Sequence, residues 1–217
     1  GTILFLLKKG YTYFIMDENR LGIGKNLLKT NLKRESEQSR NDNMAMENQI
    51  LSRFTMTEQK VLKERKKQLS SLAGLIGNDF DMQVYLNEPG EGWHWAFTEN
   101  FVKIDPTDLL EKPMDYLRFV MCHEGGHRRI SRMDFIPSET WNQPGFASMT
   151  NCIEDPRMNN FVAEAYPVFK DQMILSYDLD EQLMQNIIKE GKKKLGFIPK
   201  HELAGFEYIR LWMEEVK

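Results

Sequence analysis

The stretch MDYLRFVMCHEGGHRRISR, residues 114–132, carries the pattern around which the rest of the chain can be arranged. It follows Pro113, a residue that suits the start of a helix because it lacks the N–H group that a helix start leaves unpaired. Leu117, Val120 and Met121 then recur at helical spacing. The stretch therefore predicts an amphipathic helix that continues to about its last residue.

Within that helix, the motif HEGGH occupies residues 123–127. Histidines four positions apart lie one turn apart on the same helix face, so the imidazoles of His123 and His127 can reach a single ion. Glu124 cannot bind that ion in the same way, but it can reach a water on the ion and act as a general base. Catalytic zinc keeps one position for water, so a third protein ligand is needed.

Two glycines, Gly125 and Gly126, stand in the middle of this helix, where each costs about 1 kcal/mol relative to alanine. A helix with a purely structural role has no reason to accept that cost. We therefore expect a neighbouring backbone or a substrate to approach the helix closely at these two positions.

A second polar cluster, NCIEDPR at residues 151–157, follows on a predicted helix that Ser148 or Thr150 could cap. Together with HEGGH it resembles the gluzincin branch of zincin peptidases, in which a glutamate on a second helix completes the metal site. The resemblance covers about residues 82–170. It implies Zn²⁺ as the cofactor, Glu124 as the catalytic base, and a peptide or protein as the substrate.

Carried over to this chain, the resemblance makes Glu154 the third metal ligand. It makes Asp155 an acceptor that orients a ligand histidine, and Asn151 a neighbour on the same helix face. The chain departs from the family pattern at Pro156, which removes a hydrogen bond inside a helix, and in a longer separation from HEGGH.

Several further side chains are candidates for roles in the same site. Asp155, Glu139 and Asp134 remain alternatives for the third ligand. Arg157 could stabilise a developing oxyanion, but we expect it to pair with Asp155. Two tyrosines are candidate hydrogen-bond donors to the transition state, namely Tyr166 and Tyr177. The sequence indicates no substrate-binding residue.

Two other histidines are interpreted as structural. His94 has Glu-x-x-His spacing with Glu91, which is typical of di-iron carboxylate bundles, but the surrounding glycines and proline argue against a helix there. His201 and Glu202 repeat the first half of the HEGGH pattern, and Gly205 stands where the second histidine would be. Neither pair is expected to form a metal site.

The segment before HEGGH predicts a long helix and a small sheet. Residues 55–58, TMTE, have capping-box spacing, and apolar residues then recur at helical intervals until Gly77. Three short apolar runs follow and predict a small, mainly antiparallel sheet: residues 82–86, 93–97 and 101–104. Two more helices are predicted near the C-terminus, over residues 181–191 and 202–216.

We therefore expect an α+β, zincin-like domain over residues 49–217, with the sheet packed on the HEGGH helix and a mainly helical C-terminal part. Residues 1–48 are expected to form an N-terminal arm or linker, because most of this segment is polar and lacks periodicity. Met16 looks like a native start, which would make residues 1–15 an addition to the native chain. The apolar run over residues 3–7 is too short to span a bilayer.

Composition limits the classes of partner. The chain has 217 residues, 41% of them hydrophobic, which is enough for one sizeable core. Its net charge of −3 provides no attraction to phosphate backbones or anionic lipid, so neither nucleic acid nor a membrane is an expected partner. Only two cysteines occur, Cys122 and Cys152, which we interpret as buried small residues in a cytoplasmic protein. The oligomeric state is not indicated.

Two function classes are compatible with this pattern. One is a zinc-dependent peptidase, and the other is a non-catalytic scaffold module in which the same zinc holds two helices together. Glu124 favours the peptidase, because a structural site needs no base beside the metal. In a peptidase an extended substrate would pair with a free sheet edge next to the HEGGH helix, and residues 93–97 or 101–104 are expected to form that edge.

Overall fold

The structure, a computed structural model, describes residues 35–131 and 136–217, and within these ranges the chain forms eight helices and three strands. The elements run in the order α1 (Glu37–Leu51), α2 (Met56–Gly77), β1 (Gln83–Leu86), β2 (His94–Ala96), β3 (Phe101–Ile104), α3 (Pro106–Glu111), α4 (Met114–Ile130), α5 (Ser138–Trp141), α6 (Phe146–Ala165), α7 (Pro167–Leu195) and α8 (Lys200–Val216). The expected α+β class with a mainly helical C-terminal part is confirmed.

The long helix α2 has the ends that the sequence predicts. The hydroxyl of Thr55 accepts the Glu58 N–H at 3.3 Å, and the Glu58 carboxylate accepts the Thr55 N–H at 2.8 Å. The helix ends at Asn78, whose positive φ of 54° closes the last turn. Both signals are local, which is why the sequence identifies them.

The sheet is mixed, so the prediction of a mainly antiparallel sheet is wrong. Its strand order is β1-β3-β2, with β3 parallel to β1 and antiparallel to β2. The turn before β3, in which Asn100 has a φ of 59°, folds β3 back along β2 and places it beside β1. Because β3 (Phe101–Ile104) is the central strand, it is not a free edge, whereas β2 lies at an edge of the sheet and contacts α4.

Residues 37–48 belong to helix α1, so the expected arm does not extend to residue 48. Polar contacts hold the start of this helix in place: Asn43 Nδ2 donates to Glu35 Oε1 at 3.0 Å, and the Tyr85 hydroxyl donates to Glu35 Oε2 at 2.8 Å. The helix is difficult to predict from the sequence, because these polar contacts anchor it and the residues of α1 lack a regular apolar pattern. The expectations for residues 1–34, including those for residues 1–15, lie outside the described residues.

Helix α6 begins at Phe146, earlier than expected, and Gly145 with a φ of 79° precedes it. The expected caps Ser148 and Thr150 therefore lie inside the helix. Pro156 also lies inside it, and because proline has no N–H, the carbonyl of Cys152 has no helical donor from that position. Of the two cysteines, Cys122 is buried and Cys152 is half-buried.

Helix α4, which carries HEGGH, is shared by two hydrophobic clusters. Leu117 and Met121 belong to a cluster formed with the sheet and α2, and Phe119 and Cys122 belong to a cluster formed with α6, α7 and α8. The helix is therefore covered on two sides. Among the described residues, no helix has the length and apolar character that a membrane span requires.

The two glycines of HEGGH are explained by these two contacts. A Cβ on Gly125 would lie 3.2 Å from the Ala73 carbonyl oxygen of α2. A Cβ on Gly126 would lie 2.2 Å from Met158 Sδ and 2.9 Å from Val162 Cγ2 of α6. The expected close approach is confirmed, and neighbouring helices make it. Helix packing alone thus explains why residues 125 and 126 are glycines. The expectation that a purely structural helix would not accept their cost is therefore wrong.

We predict that Gly126→Ala lowers the free energy of unfolding of the metal-free protein by about 1–3 kcal/mol, because overpacking against Met158 and Val162 exceeds the gain in helix propensity. Urea denaturation in the presence of a chelator measures the change. Ser71→Ala, at an exposed position of α2, is the control and should stay within about 0.5 kcal/mol of wild type. A Gly126→Ala protein as stable as wild type would contradict the packing of α6 on α4.

Candidate metal centre

The two histidines of HEGGH point their Nε2 atoms at each other from successive turns of α4. The distance between His123 Nε2 and His127 Nε2 is 3.1 Å. His123 is 7% exposed and His127 is fully buried. The predicted convergence of the two imidazoles is therefore present.

Asp155 of α6 supplies the third atom of this group. Its Oδ1 lies 3.2 Å from His127 Nε2 and 3.8 Å from His123 Nε2. Ligand atoms about 2.0–2.1 Å from a tetrahedral zinc are about 3.3 Å apart, so the three separations suit one ion. Asp155 is itself buried, and apart from the imidazoles its Oδ1 has no hydrogen-bond donor within the described residues.

Asn159 of α6 orients His123 through the Nδ1 side of its ring. Its Nδ1 lies 3.0 Å from Asn159 Oδ1, while Asn159 Nδ2 donates to the Tyr177 hydroxyl at 3.3 Å. Since the amide oxygen can only accept, we assign the proton of His123 to Nδ1. Its Nε2 then presents a lone pair to the centre.

His127 is oriented in the same way by Ser131, the residue that directly follows α4. Its Nδ1 lies 2.8 Å from Ser131 Oγ, and the Ser131 hydroxyl donates to Glu154 Oε1 at 2.5 Å. Because the hydroxyl proton is directed to the carboxylate, the imidazole must donate from Nδ1. In the neutral imidazole the second Nε2 lone pair therefore also faces the centre.

The charges around the two imidazoles differ. Burial lowers the pKa of His123 to about 4. Burial also acts to lower the pKa of His127, but the hydrogen bond and charge of Asp155, together with the charge of Glu124, outweigh it and raise this pKa above its usual value. Two lone pairs and a carboxylate thus surround a point that favours a positive charge.

Glu124, the predicted base, is fully buried beside these groups. Its charge contributes to the raised pKa of His127. The two histidines point into the group that could hold an ion, and the intervening glutamate is not part of it. Its action as a base remains a prediction.

Glu154, the expected third ligand, is directed elsewhere. Its Oε1 accepts from Ser131 Oγ, and its two oxygens accept from Arg157 at 2.6 and 2.7 Å. Asp155, and not Glu154, lies with the two histidines in the group that could hold an ion. We expected Arg157 to pair with Asp155, but it pairs with Glu154. Neighbouring helical residues point about 100° apart, and the packing of α6 on α4 decides which of them faces the histidines.

The remaining candidates that the structure describes are not part of this group. Asn151 lies one turn before Asp155 on α6, and Glu139 is exposed on α5, outside the group. Asp134 lies outside the described residues. The Tyr166 hydroxyl accepts from Arg129 at 3.2 Å. Tyr177 is linked through Asn159 to the Nδ1 side of His123, away from the converging Nε2 atoms.

Sequence reasoning missed Asn159 and Ser131. Both were detectable from spacing, because Asn159 lies four residues after Asp155 and Ser131 lies four residues after His127, one helical turn in each case. His94, interpreted as structural, is buried in β2, where burial lowers its pKa to about 4. It is not part of the metal group.

Comparisons of the chain with protein-family models, with curated proteins and with solved structures gave no match.

We predict that Asp155→Ala weakens zinc binding far more than Glu154→Ala does. Loss of a ligand should exceed the loss of about 10–100-fold that is usual when an outer partner of a ligand is removed, whereas Glu154→Ala should stay within that range and keep one zinc per chain. Titration against a competing chelator measures both affinities. Glu164→Ala, at an exposed position of α6, is the matched control. The opposite order of losses would restore Glu154 as the ligand.

Proposed function

We propose that this chain is a zincin-like, zinc-dependent peptidase whose third metal ligand is Asp155. The observation that carries the proposal is the convergence of His123 Nε2, His127 Nε2 and Asp155 Oδ1 beside a fully buried Glu124. Two imidazoles and one carboxylate leave a tetrahedral ion one further position, which is the arrangement of catalytic zinc sites.

The residues of this centre fit zinc on chemical grounds. In its neutral form each imidazole presents an unprotonated Nε2, because its Nδ1 side meets Asn159 or Ser131 as an acceptor. A zinc ion bound here would polarise the scissile carbonyl and lower the pKa of a water molecule to about 7. Nitrogen and oxygen ligands together match the preference of this borderline ion.

Glu124 then has the role of a general acid and base. Its carboxylate takes a proton from the water as the water oxygen bonds to the carbonyl carbon, and it returns that proton to the amine nitrogen when the C–N bond breaks. Because Glu124 is fully buried, its charge acts in a medium of low dielectric, where its interaction with a nearby proton or cation is stronger than in water.

The sheet supports a peptide as the class of substrate. Strand β2 lies at an edge of the sheet and contacts α4, the helix that carries HEGGH. An extended peptide can add to such an edge through main-chain hydrogen bonds. Trp93 and Trp95 are buried at 4% and 2% exposure, so the edge does not present these aromatic rings to solvent.

The burial of the centre also supports a second candidate, a non-catalytic module in which zinc joins α4 to α6. All three ligand residues are buried, as is usual for a structural metal site, and they come from two helices that the ion would hold together. The two candidates differ in one respect that can be measured. A structural site does not need Glu124 as a base.

We predict that purified protein binds about one zinc per chain and that an unbiased peptide library is cleaved by wild type but not by Glu124→Gln. The variant should retain its zinc, because only the proton acceptor is removed. Metal analysis and mass spectrometry of the library give the two readouts, and Glu164→Gln serves as a control for the loss of an exposed carboxylate.

Each other outcome has a definite meaning. Zinc-loaded wild type that cleaves no member of the library would favour the structural module. Equal cleavage by Glu124→Gln would rule out this glutamate as the base. Protein that takes up no zinc after reconstitution would refute both candidates.

A further inference from the structure

We propose that Ser131 and Glu154 are positioning residues for His127, acting through a chain of hydrogen bonds that ends at Arg157. The inference rests on the proposed metal centre, but not on peptide hydrolysis. It gives Glu154 a role different from that of a ligand: its carboxylate acts on the metal centre through the Ser131 hydroxyl and the His127 ring.

The first link joins His127 to the residue that directly follows its own helix. His127 Nδ1 lies 2.8 Å from Ser131 Oγ, and the Ser131 N–H donates to the His127 carbonyl at 2.9 Å. Both the backbone and the side chain of Ser131 therefore hydrogen-bond to His127. Ser131 is 6% exposed and adopts an extended conformation, with φ of −74° and ψ of 132°. Burial of this link limits competition from water.

The second link passes from α4 to α6. Ser131 Oγ donates to Glu154 Oε1 at 2.5 Å, the short distance of a hydroxyl bonded to a carboxylate. A hydroxyl has one proton and two lone pairs, so donation to Glu154 leaves a lone pair for the imidazole N–H. The direction of the chain is thereby fixed: His127 donates to Ser131, and Ser131 donates to Glu154.

The third link holds the carboxylate in place. Arg157 Nε donates to Glu154 Oε2 at 2.7 Å, and Arg157 Nη2 donates to Glu154 Oε1 at 2.6 Å, a bidentate pair across one turn of α6. The same Nη2 donates to the Ile130 carbonyl at the end of α4 at 3.2 Å. Arg157 thus connects the end of α4 to the carboxylate that Ser131 reaches.

The two ligand histidines differ in the group that accepts a hydrogen bond from Nδ1. His123 donates directly to a neutral amide oxygen, Asn159 Oδ1, whereas His127 reaches a carboxylate through a hydroxyl. A carboxylate behind an imidazole fixes its tautomer and raises its basicity as a ligand. Consecutive residues of α6, Glu154 and Asp155, therefore act on the same centre from opposite ends of the His127 ring.

The test measures zinc affinity of the full chain by competition with a chelator. Ser131→Ala should weaken binding about 10–100-fold, and Ser131→Thr, which keeps the hydroxyl, should remain close to wild type. Because Ser131 and Glu154 act in one chain, the double variant Ser131→Ala/Glu154→Ala should lose little more than either single variant. Ser70→Ala is the control, since that hydroxyl bonds to the Lys66 carbonyl in α2, away from the centre.

A second readout separates positioning from a general loss of stability. In ¹H–¹⁵N spectra of the zinc-loaded imidazoles, His127 should show a protected Nδ1–H in wild type and Ser131→Thr, and this signal should shift or disappear in Ser131→Ala and in Glu154→Gln. The His123 signal should stay unchanged. Glu154→Gln also serves if Ser131→Ala fails to fold, because its exchange of an oxygen for a nitrogen removes charge and keeps the shape.

Wild-type affinity in Ser131→Ala, or losses that add fully in the double variant, would overturn the chain of hydrogen bonds while leaving the metal centre intact. Absence of zinc binding by wild type would instead overturn the metal centre, and the positioning role with it. Failure of this inference is therefore distinguishable from failure of the proposed function.

Discussion

The close contact between α4 and α6 at Gly126 is the constraint on which the candidate centre depends. Met158 and Val162 occupy the space that a side chain at residue 126 would need. Met158 lies one turn after Asp155 on α6. The contact of Met158 with Gly126 therefore fixes the distance between Asp155 and the imidazoles of α4. Packing thus sets the separations between the atoms that could hold an ion, and the absence of a Cβ at residue 126 permits them.

The same contact brings three acceptors of α6 against two histidines of α4. Asp155 faces both Nε2 atoms, Asn159 accepts from one Nδ1, and Glu154 is connected to the other through Ser131. Arg157 already compensates the charge of Glu154, but burying the carboxylates of Asp155 and Glu124 together without a cation would be costly. A divalent ion bound here would offset much of that cost, which supports the proposed metal centre.

Local signals explain how much of this arrangement the sequence predicts. The capping box of α2 and the histidine spacing of α4 are set within one helical turn, and both were predicted correctly. Strand order was not, because alternation identifies a strand without identifying its partner. The sequence also did not show that Asp155, and not Glu154, faces the histidines: the two residues differ by a rotation of about 100°, and a contact between distant segments decides which one faces α4. Helix α1 was missed because its anchor, Glu35, is polar.

Helix α4 contributes to both hydrophobic clusters, and this has a consequence for how the molecule unfolds. Leu117 and Met121 bind it to the sheet, while Phe119 and Cys122 bind it to the C-terminal helices. Neither half can lose its packing without exposing one side of the shared helix, so the two halves are coupled into one cooperative unit. An ion held between α4 and α6 would therefore protect amide hydrogens in the sheet from exchange, although no strand supplies a ligand.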